Sequence, residues 1–194
     1  MKIILASKSG VRKKILLNHK VDHEVIPSNV DEDQAKESLK EAGASPLLVS
    51  KNLAEIKSIK VSVKFPDRLV LGADSVVALG DDLINKPSSR EEALKILQKL
   101  NGKTHDLISS VCISKNASMI WNHTDVSELK MKEHTDEQLI NYLKKIETET
   151  LLAYGVYQVE ADGWNLFDNI KGDKESIMGL PIKQIINYIS TYKK

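Results

Sequence analysis

Asp74 and Lys86 are the side chains on which this sequence most directly hangs chemistry. Both lie in one stretch, LVLGADSVVALGDDLINKP, from Leu69 to Pro87. An apolar run, Leu69-Val70-Leu71, reads as a buried strand bounded by Gly72, and a second run, Ser75 to Leu79, ends in the turn signal Gly80-Asp81-Asp82. Asp74 falls at the break between them, where glycine lets backbone or ligand approach closely. Lys86 sits on an extended residue, because Pro87 disfavours helical geometry before it. An acid at a strand break and a lysine across a hairpin suit a metal and phosphate site. A surface aspartate with a solvated lysine is the competing reading.

Ser7-Lys8-Ser9-Gly10 offers a second chemistry. It joins a short apolar strand, Lys2 to Ala6, to a helix from about Val11 to Asn18. Such a turn presents free N–H groups and the positive end of the helix dipole to an anion. Ser7 and Ser9 add hydroxyl donors, and Arg12 in the first turn can fork onto phosphate oxygens, although many helices begin with serine and carry an arginine. A further cation, Lys57, lies on a helix that Ser45-Pro46 starts and that runs to about Lys60. Val49, Leu53 and Ile56 read as its inward face. Lys57 at the edge of that face either snorkels from the core or reaches into a neighbouring cleft.

The remaining elements form a frame for these segments. Val21 to Val30 reads as a strand, and the acidic patch Asp31-Glu32-Asp33 favours the start of a helix over Asp33 to Ala42. Ser89-x-x-Glu92 and Thr135-x-x-Gln138 are capping boxes. The first opens a helix with Ala93, Leu97 and Leu100 inward and Gly102 as its stop; the second opens one with Leu139, Leu143 and Ile146 inward. Between them, Asp106 to Ser114 and Met119 to Met131 read as a long antiparallel hairpin. Glu147 to Thr150 reads as a polar connection, followed by two strands around Gly163 and a terminal helix with Ile182, Ile185, Ile186 and Ile189 inward. Alternating strands and helices predict an α/β domain, with helices over a mixed, twisted sheet.

Composition narrows the partners. A chain of 194 residues suits one compact domain with room for two lobes, and 41% hydrophobic with 28% charged residues is an ordinary globular balance. A formal net charge of +1 argues against a general nucleic-acid or membrane-surface footprint, so any cationic site must be local. No apolar run reaches the roughly 20 residues of a membrane span and no signal peptide is visible, which predicts a cytoplasmic protein. The single cysteine, Cys112, excludes an internal disulfide and reads as a small buried hydrophobe in a strand.

Eight short pieces in order resemble the Maf family of nucleoside triphosphate pyrophosphatases over nearly the whole chain. Leu5 to Arg12 resembles LASxSPRR; Val30-Asp31-Glu32 resembles vDE; Leu53 to Ser58 resembles LAxxKA. Ala73-Asp74-Ser75 resembles ADT, Asn85-Lys86-Pro87 resembles xKP, and Leu100 to His105 resembles LSGKTH. Ile170 to Asp173 and Gly179-Leu180-Pro181 resemble IxGD and GLP. Gly10 and Val11 replace the usual proline and first arginine, so one phosphate-binding cation is missing. With Gly155 and Tyr157 aligned, Glu160 falls where one branch has glutamine and a 7-methylguanosine triphosphate branch has glutamate.

The resemblance implies a two-lobed Maf/ITPase-like architecture with a central cleft. It also implies hydrolysis of a modified or non-standard nucleoside triphosphate between the α- and β-phosphates, as a house-cleaning activity. Ser7, Ser9, Arg12, Lys57 and Lys86 would bind the triphosphate and Glu160 the base. Glu32 and Asp74 would hold a divalent cation, Mg²⁺ or Mn²⁺, with Asp74 as ligand, as general base, or as both. His105 is an alternative base or a structural hydrogen-bonding group. A homodimer is expected from the resemblance. A nucleotide-binding regulator of cell division with little turnover is the alternative function, favoured by the missing arginine.

Overall fold

The computed structural model describes residues 2–157 and 162–192. Among them the strands are β1 Ile3–Leu5, β2 His23–Val25, β3 Val70–Leu79, β4 Asp82–Ile84, β5 Thr104–Lys115, β6 Ser118–Met131 and β7 Phe167–Lys171. The helices are α1 Gly10–Asn18, α2 Glu32–Glu41, α3 Pro46–Ser62, α4 Arg90–Leu100, α5 Asp136–Lys144, α6 Thr148–Tyr154, α7 Lys174–Ile177 and α8 Ile182–Thr191. The strand order is β2-β1-β3-β5-β6-β7, with β4 paired to β3. β1 runs parallel to β2 and β3, whereas β3–β4 and β6–β7 are antiparallel, so the sheet is mixed. The chain divides into two compact units: Met1–Val76 with Ile108–Val126 and Gly172–Lys194, and Val77–Leu107 with Ser127–Lys171.

In the first unit both faces of the sheet are covered, and the alternation of strand side chains assigns them. Ile3, Leu5, Leu69 and Leu71 pack with Ile15 and Leu16 of α1 and Ile182, Ile185 and Ile189 of α8. Ile4, Ala6 and Val70 pack with Val61 of α3 on the other face. The two strands expected on either side of Gly72 are one continuous strand, so Asp74 lies within β3 and not at a break. Gly72 serves the neighbouring helix: a Cβ there would stand 2.1 Å from the Ala54 carbonyl oxygen and 2.7 Å from the Ser58 nitrogen. The approach is that close because α3 turns Ser50, Ala54, Ser58 and Ser62 inward, a small residue on each turn. This corrects the inward face expected for α3. Val49 and Leu53 are buried, but Ile56 is 39% exposed, displaced by the smaller side chains that admit the strand. Cys112 is buried there as well, accepting from the Ser58 hydroxyl at 3.1 Å, and burial pushes its thiol pKa up.

The β5–β6 connection is the two-residue turn Asn116-Ala117, both at positive φ, as the tight hairpin turn requires. In the second unit, α4 buries Ala93, Leu97 and Leu100, and α5 carries the expected Thr135/Gln138 capping box. At α4 the box is shifted: Ser89 accepts from the Glu92 nitrogen, but the Glu92 carboxylate reaches back to Ser88. The β2 strand covers three of the ten residues expected over Val21 to Val30, and the polar segment at Thr148 opens α6. Of the two strands expected around Gly163, the second is β7; α6 runs to Tyr154 where the first would begin, residues 158–161 of that stretch lie outside the described residues, and a 3-10 helix, Asp162–Leu166, runs through Gly163.

Gly72→Ala tests the close approach of α3. It should lower stability by about 2 kcal/mol or more through overpacking against backbone, read as a shifted midpoint in urea unfolding. A midpoint within error of wild type would mean that α3 can move away.

Candidate active site

The strand alternation that buries β3 also divides its polar groups. Gly72 and Asp74 face α3, while Ala73 and Ser75 face α1 and the Gly179 turn. On the α3 side, Lys57 Nζ lies 2.7 Å from Asp74 Oδ1 and 2.8 Å from Glu32 Oε1. Lys57 and Asp74 are each only 4% exposed, whereas the Glu32 side chain is 39% exposed. Burying the ammonium is tolerable only because a carboxylate is buried with it. The expectation that Lys57 sits at the edge of its helix face is therefore corrected: it lies inside, between two anions.

Asp74 Oδ2 is buried and has no hydrogen-bond partner among the described residues. A carboxylate oxygen left without a donor is costly in a folded protein. Such an oxygen suits a ligand atom, a metal ion or a water. Glu32 and Lys57, the partners around this carboxylate, line a recess of about 100 Å³ together with Ser7, Lys8 and the loop Pro27 to Val30. In that loop Asn29 takes a left-handed conformation, φ +49, and its carbonyl accepts from Lys60 Nζ at 2.7 Å. Asp31 then caps α2 by accepting from the Gln34 nitrogen, which puts Glu32 at the first helical position.

On the other face of β3, the half-buried Arg12 donates from Nε to Gly179 O (2.9 Å), from Nη1 to Ser7 Oγ (3.2 Å) and Ala73 O (3.0 Å), and from Nη2 to Ser75 Oγ (3.1 Å). Burial draws its pKa down, while the charges of Asp74 and Glu32 oppose the shift. Ser9 caps α1, its hydroxyl accepting from the Arg12 nitrogen.

Ser7, Glu32, Lys57 and Asp74 are thus gathered, with Ser9 and Arg12 on the adjoining turn. Lys86 lies in the second unit, exposed beside the buried Pro87. Glu160 is outside the described residues. His105 belongs to the second unit, where its Nε2 lies 3.1 Å from the Tyr157 hydroxyl and its ring packs near Phe167. Its Nδ1 has no partner among the described residues, and burial lowers its pKa to about 4. Lys8, Ser75 and Gly179 had no role assigned from sequence. The hydroxyl kept after Asp74 and the Gly179-Leu180-Pro181 motif were the available signals for the last two.

The family model described as Maf-like protein matches residues 2–192. The chain belongs to the Maf family. This Maf chain is 58% identical over 191 residues to a nucleoside triphosphate pyrophosphatase of Pelagibacter ubique (strain HTCC1062), with 98% of each chain covered. It is 36% identical to a 7-methyl-GTP pyrophosphatase of Brucella abortus biovar 1 (strain 9-941), over 96% of this chain and 94% of that one. A nucleoside triphosphate pyrophosphatase of Ruegeria sp. (strain TM1040) is 37% identical over 96% of this chain and 94% of its own.

Lys57→Met should destabilise the fold by roughly 3 kcal/mol, the cost of leaving a buried carboxylate unpaired, and adding Asp74→Asn should recover part of that loss in denaturant unfolding. A Lys57→Met protein as stable as wild type would show that Asp74 needs no buried counter-charge. His105 gives a pH dependence of known sign. Its folded pKa of about 4 lies below the ordinary 6.5, so the unfolded chain binds more protons between these values. The stability it contributes is complete above 6.5 and is lost as pH falls toward about 4. His105→Gln should flatten that part of the stability–pH curve, measured by urea unfolding across it.

Proposed function

We propose that this chain hydrolyses a nucleoside triphosphate to the monophosphate and pyrophosphate, with a divalent cation held by Asp74 and Glu32. The observation that carries this reading is the buried, unpartnered Asp74 Oδ2 beside a lysine that already neutralises Oδ1. Membership in a family whose relatives bear that activity in their names supports it.

The donor set fits Mg²⁺ or Mn²⁺. It offers two hard carboxylates and no cluster of three or more His, Cys, Asp or Glu among the described residues, which suits an ion that keeps waters and takes phosphate oxygens as further ligands. When bound, the cation lowers the pKa of water and neutralises phosphate charge. Glu32, Asp74 and Lys57 together carry one net negative charge, so they attract a divalent cation and become cationic once it is held. The Ser7 to Gly10 turn offers N–H and hydroxyl donors to a phosphate, and Lys8 brings its charge to the rim of the recess. Oδ2, the carboxylate oxygen that Lys57 leaves over, would serve as ligand to the cation or as acceptor for the proton of the attacking water. The water oxygen bonds to the α-phosphorus, the bridging P–O bond breaks, and pyrophosphate leaves with the electron pair. Lys57 holds Oδ1 throughout and so fixes which oxygen acts.

The base preference follows from the resemblance. Glu160 aligns with the glutamate of the 7-methylguanosine branch, and a carboxylate can accept from both N1–H and the N2 amine of a guanine edge. We therefore assign guanine-type triphosphates, the 7-methyl form included, over thymidine and uridine triphosphates. The test is a panel of nucleoside triphosphates with Mg²⁺ or Mn²⁺, read by pyrophosphate release. Asp74→Asn should lower the rate at least ~10²-fold in a protein that still folds. Turnover that survives Asp74→Asn would remove Asp74 from the chemistry, and nucleotide binding without release from any substrate would favour a regulator. Glu160→Gln should narrow the guanine preference; an unchanged ranking would free Glu160 of that role.

A further inference from the structure

We propose that Arg12 is a positioning residue for Asp74 and does not bind the phosphates, an inference that rests on the reading of Asp74 given above. A guanidinium has five N–H donors, and four of those of Arg12 are engaged by Gly179 O, Ser7 Oγ, Ala73 O and Ser75 Oγ. A single N–H on Nη2 remains. The paired donors that a bidentate grip on phosphate needs are already committed.

The acceptors are available because β1 is short. Its backbone pairs with β3 through Ile4 N to Leu69 O (2.9 Å) and Ala6 N to Leu71 O (2.8 Å). The next carbonyl in that series is Ala73 O, but the chain has turned away at Ser7. Arg12 Nη1 supplies the donor that a longer β1 would have offered.

The two groups gripped on β3, the Ala73 carbonyl and the Ser75 hydroxyl, flank Asp74 on either side. Asp74 is therefore fixed from both faces of the strand: Lys57 holds its carboxylate on one, and Arg12 holds its neighbours on the other. The grip is itself buttressed. Ser75 Oγ lies 3.0 Å from Ser109 Oγ. Gly179 has φ +97, and a Cβ there would come within 3.2 Å of Ser75 Oγ and 3.5 Å of Arg12 Nε. Displacing a reacting group by about 1 Å can cost ~10²-fold in rate, so this bracing acts on turnover and not on affinity.

Arg12→Lys, Ser75→Ala, the double variant and Asp74→Asn test this by steady-state pyrophosphate release. Lysine keeps the charge but loses the planar fork. Positioning predicts that Arg12→Lys lowers kcat at least ~10²-fold with KM within about threefold. It further predicts that Ser75→Ala lowers kcat by about tenfold at constant KM, and that the double variant is no slower than Arg12→Lys alone. A KM raised about tenfold or more with kcat held, or additive losses in the double variant, would overturn it. If Arg12→Lys fails to fold by circular dichroism, Ser75→Ala decides: lowered kcat at constant KM supports the proposal and unchanged kcat overturns it. Asp74→Asn separates the two readings. Full activity in that variant removes the role of Asp74 and with it that of Arg12, whereas an inactive Asp74→Asn leaves the arginine result to stand alone.

Discussion

A lysine ammonium and a carboxylate share a space from which water is almost excluded, and the first unit is built so that they can. The 2.7 Å contact between Lys57 and Asp74 joins a helix to the strand beneath it. That distance requires α3 to lie nearly against the backbone of β3. The requirement accounts for two sequence features with no chemistry of their own: the absent side chain at Gly72, and serine or alanine at Ser50, Ala54, Ser58 and Ser62. The inward hydroxyls in turn need partners, which they find in Asp74 O, Ile108 O, Cys112 Sγ, Ser114 Oγ and the Ala117 nitrogen. A buried ion pair contributes little net stability compared with apolar packing of the same volume. Its retention here is best understood through what it leaves over, one buried carboxylate oxygen without a donor among the described residues.

The two cations near Asp74 divide the work by geometry. Lysine, a compact point charge, meets a carboxylate oxygen on each side. Arginine, a flat fork, meets four acceptors from three separate segments: the Ser7 turn, two positions on β3 and the Gly179 turn. Exchanging the two residue types would satisfy neither location. The same logic assigns the Ser7 to Gly10 turn two functions, since it ends β1 early enough to expose Ala73 O and supplies the first turn of the helix that carries Arg12.

Much of this was legible in the sequence. The apolar run at Ile3 to Leu5 and helical spacing at Ile182, Ile185 and Ile189 locate the core, and the short motifs point to Ser7, Glu32, Lys57 and Asp74. Burial was harder to read. Lys57 beside Ile56 looks like a side chain at the margin of a helix, because hydrophobicity ranks isoleucine inward; contact distance ranks serine inward here, and that is settled by Gly72, on the strand that follows the helix. The break expected at Asp74 had the same origin. A glycine in a strand signals close approach, but sequence does not say whether the visitor is a ligand or a helix. The donors of Arg12 could not be counted until the end of β1 was known to the residue.

One feature of α2 bears on how the two carboxylates behave. None of its side chains is fully buried, and Glu32 stands at its first residue with two-fifths of the side chain in water. Asp74 is held in a continuous strand with both neighbours tied. Glu32 therefore meets Lys57 from the solvent margin of the site, while Asp74 meets it from inside the sheet. One carboxylate is anchored in the sheet, and the other stands on a helix end in partial contact with water.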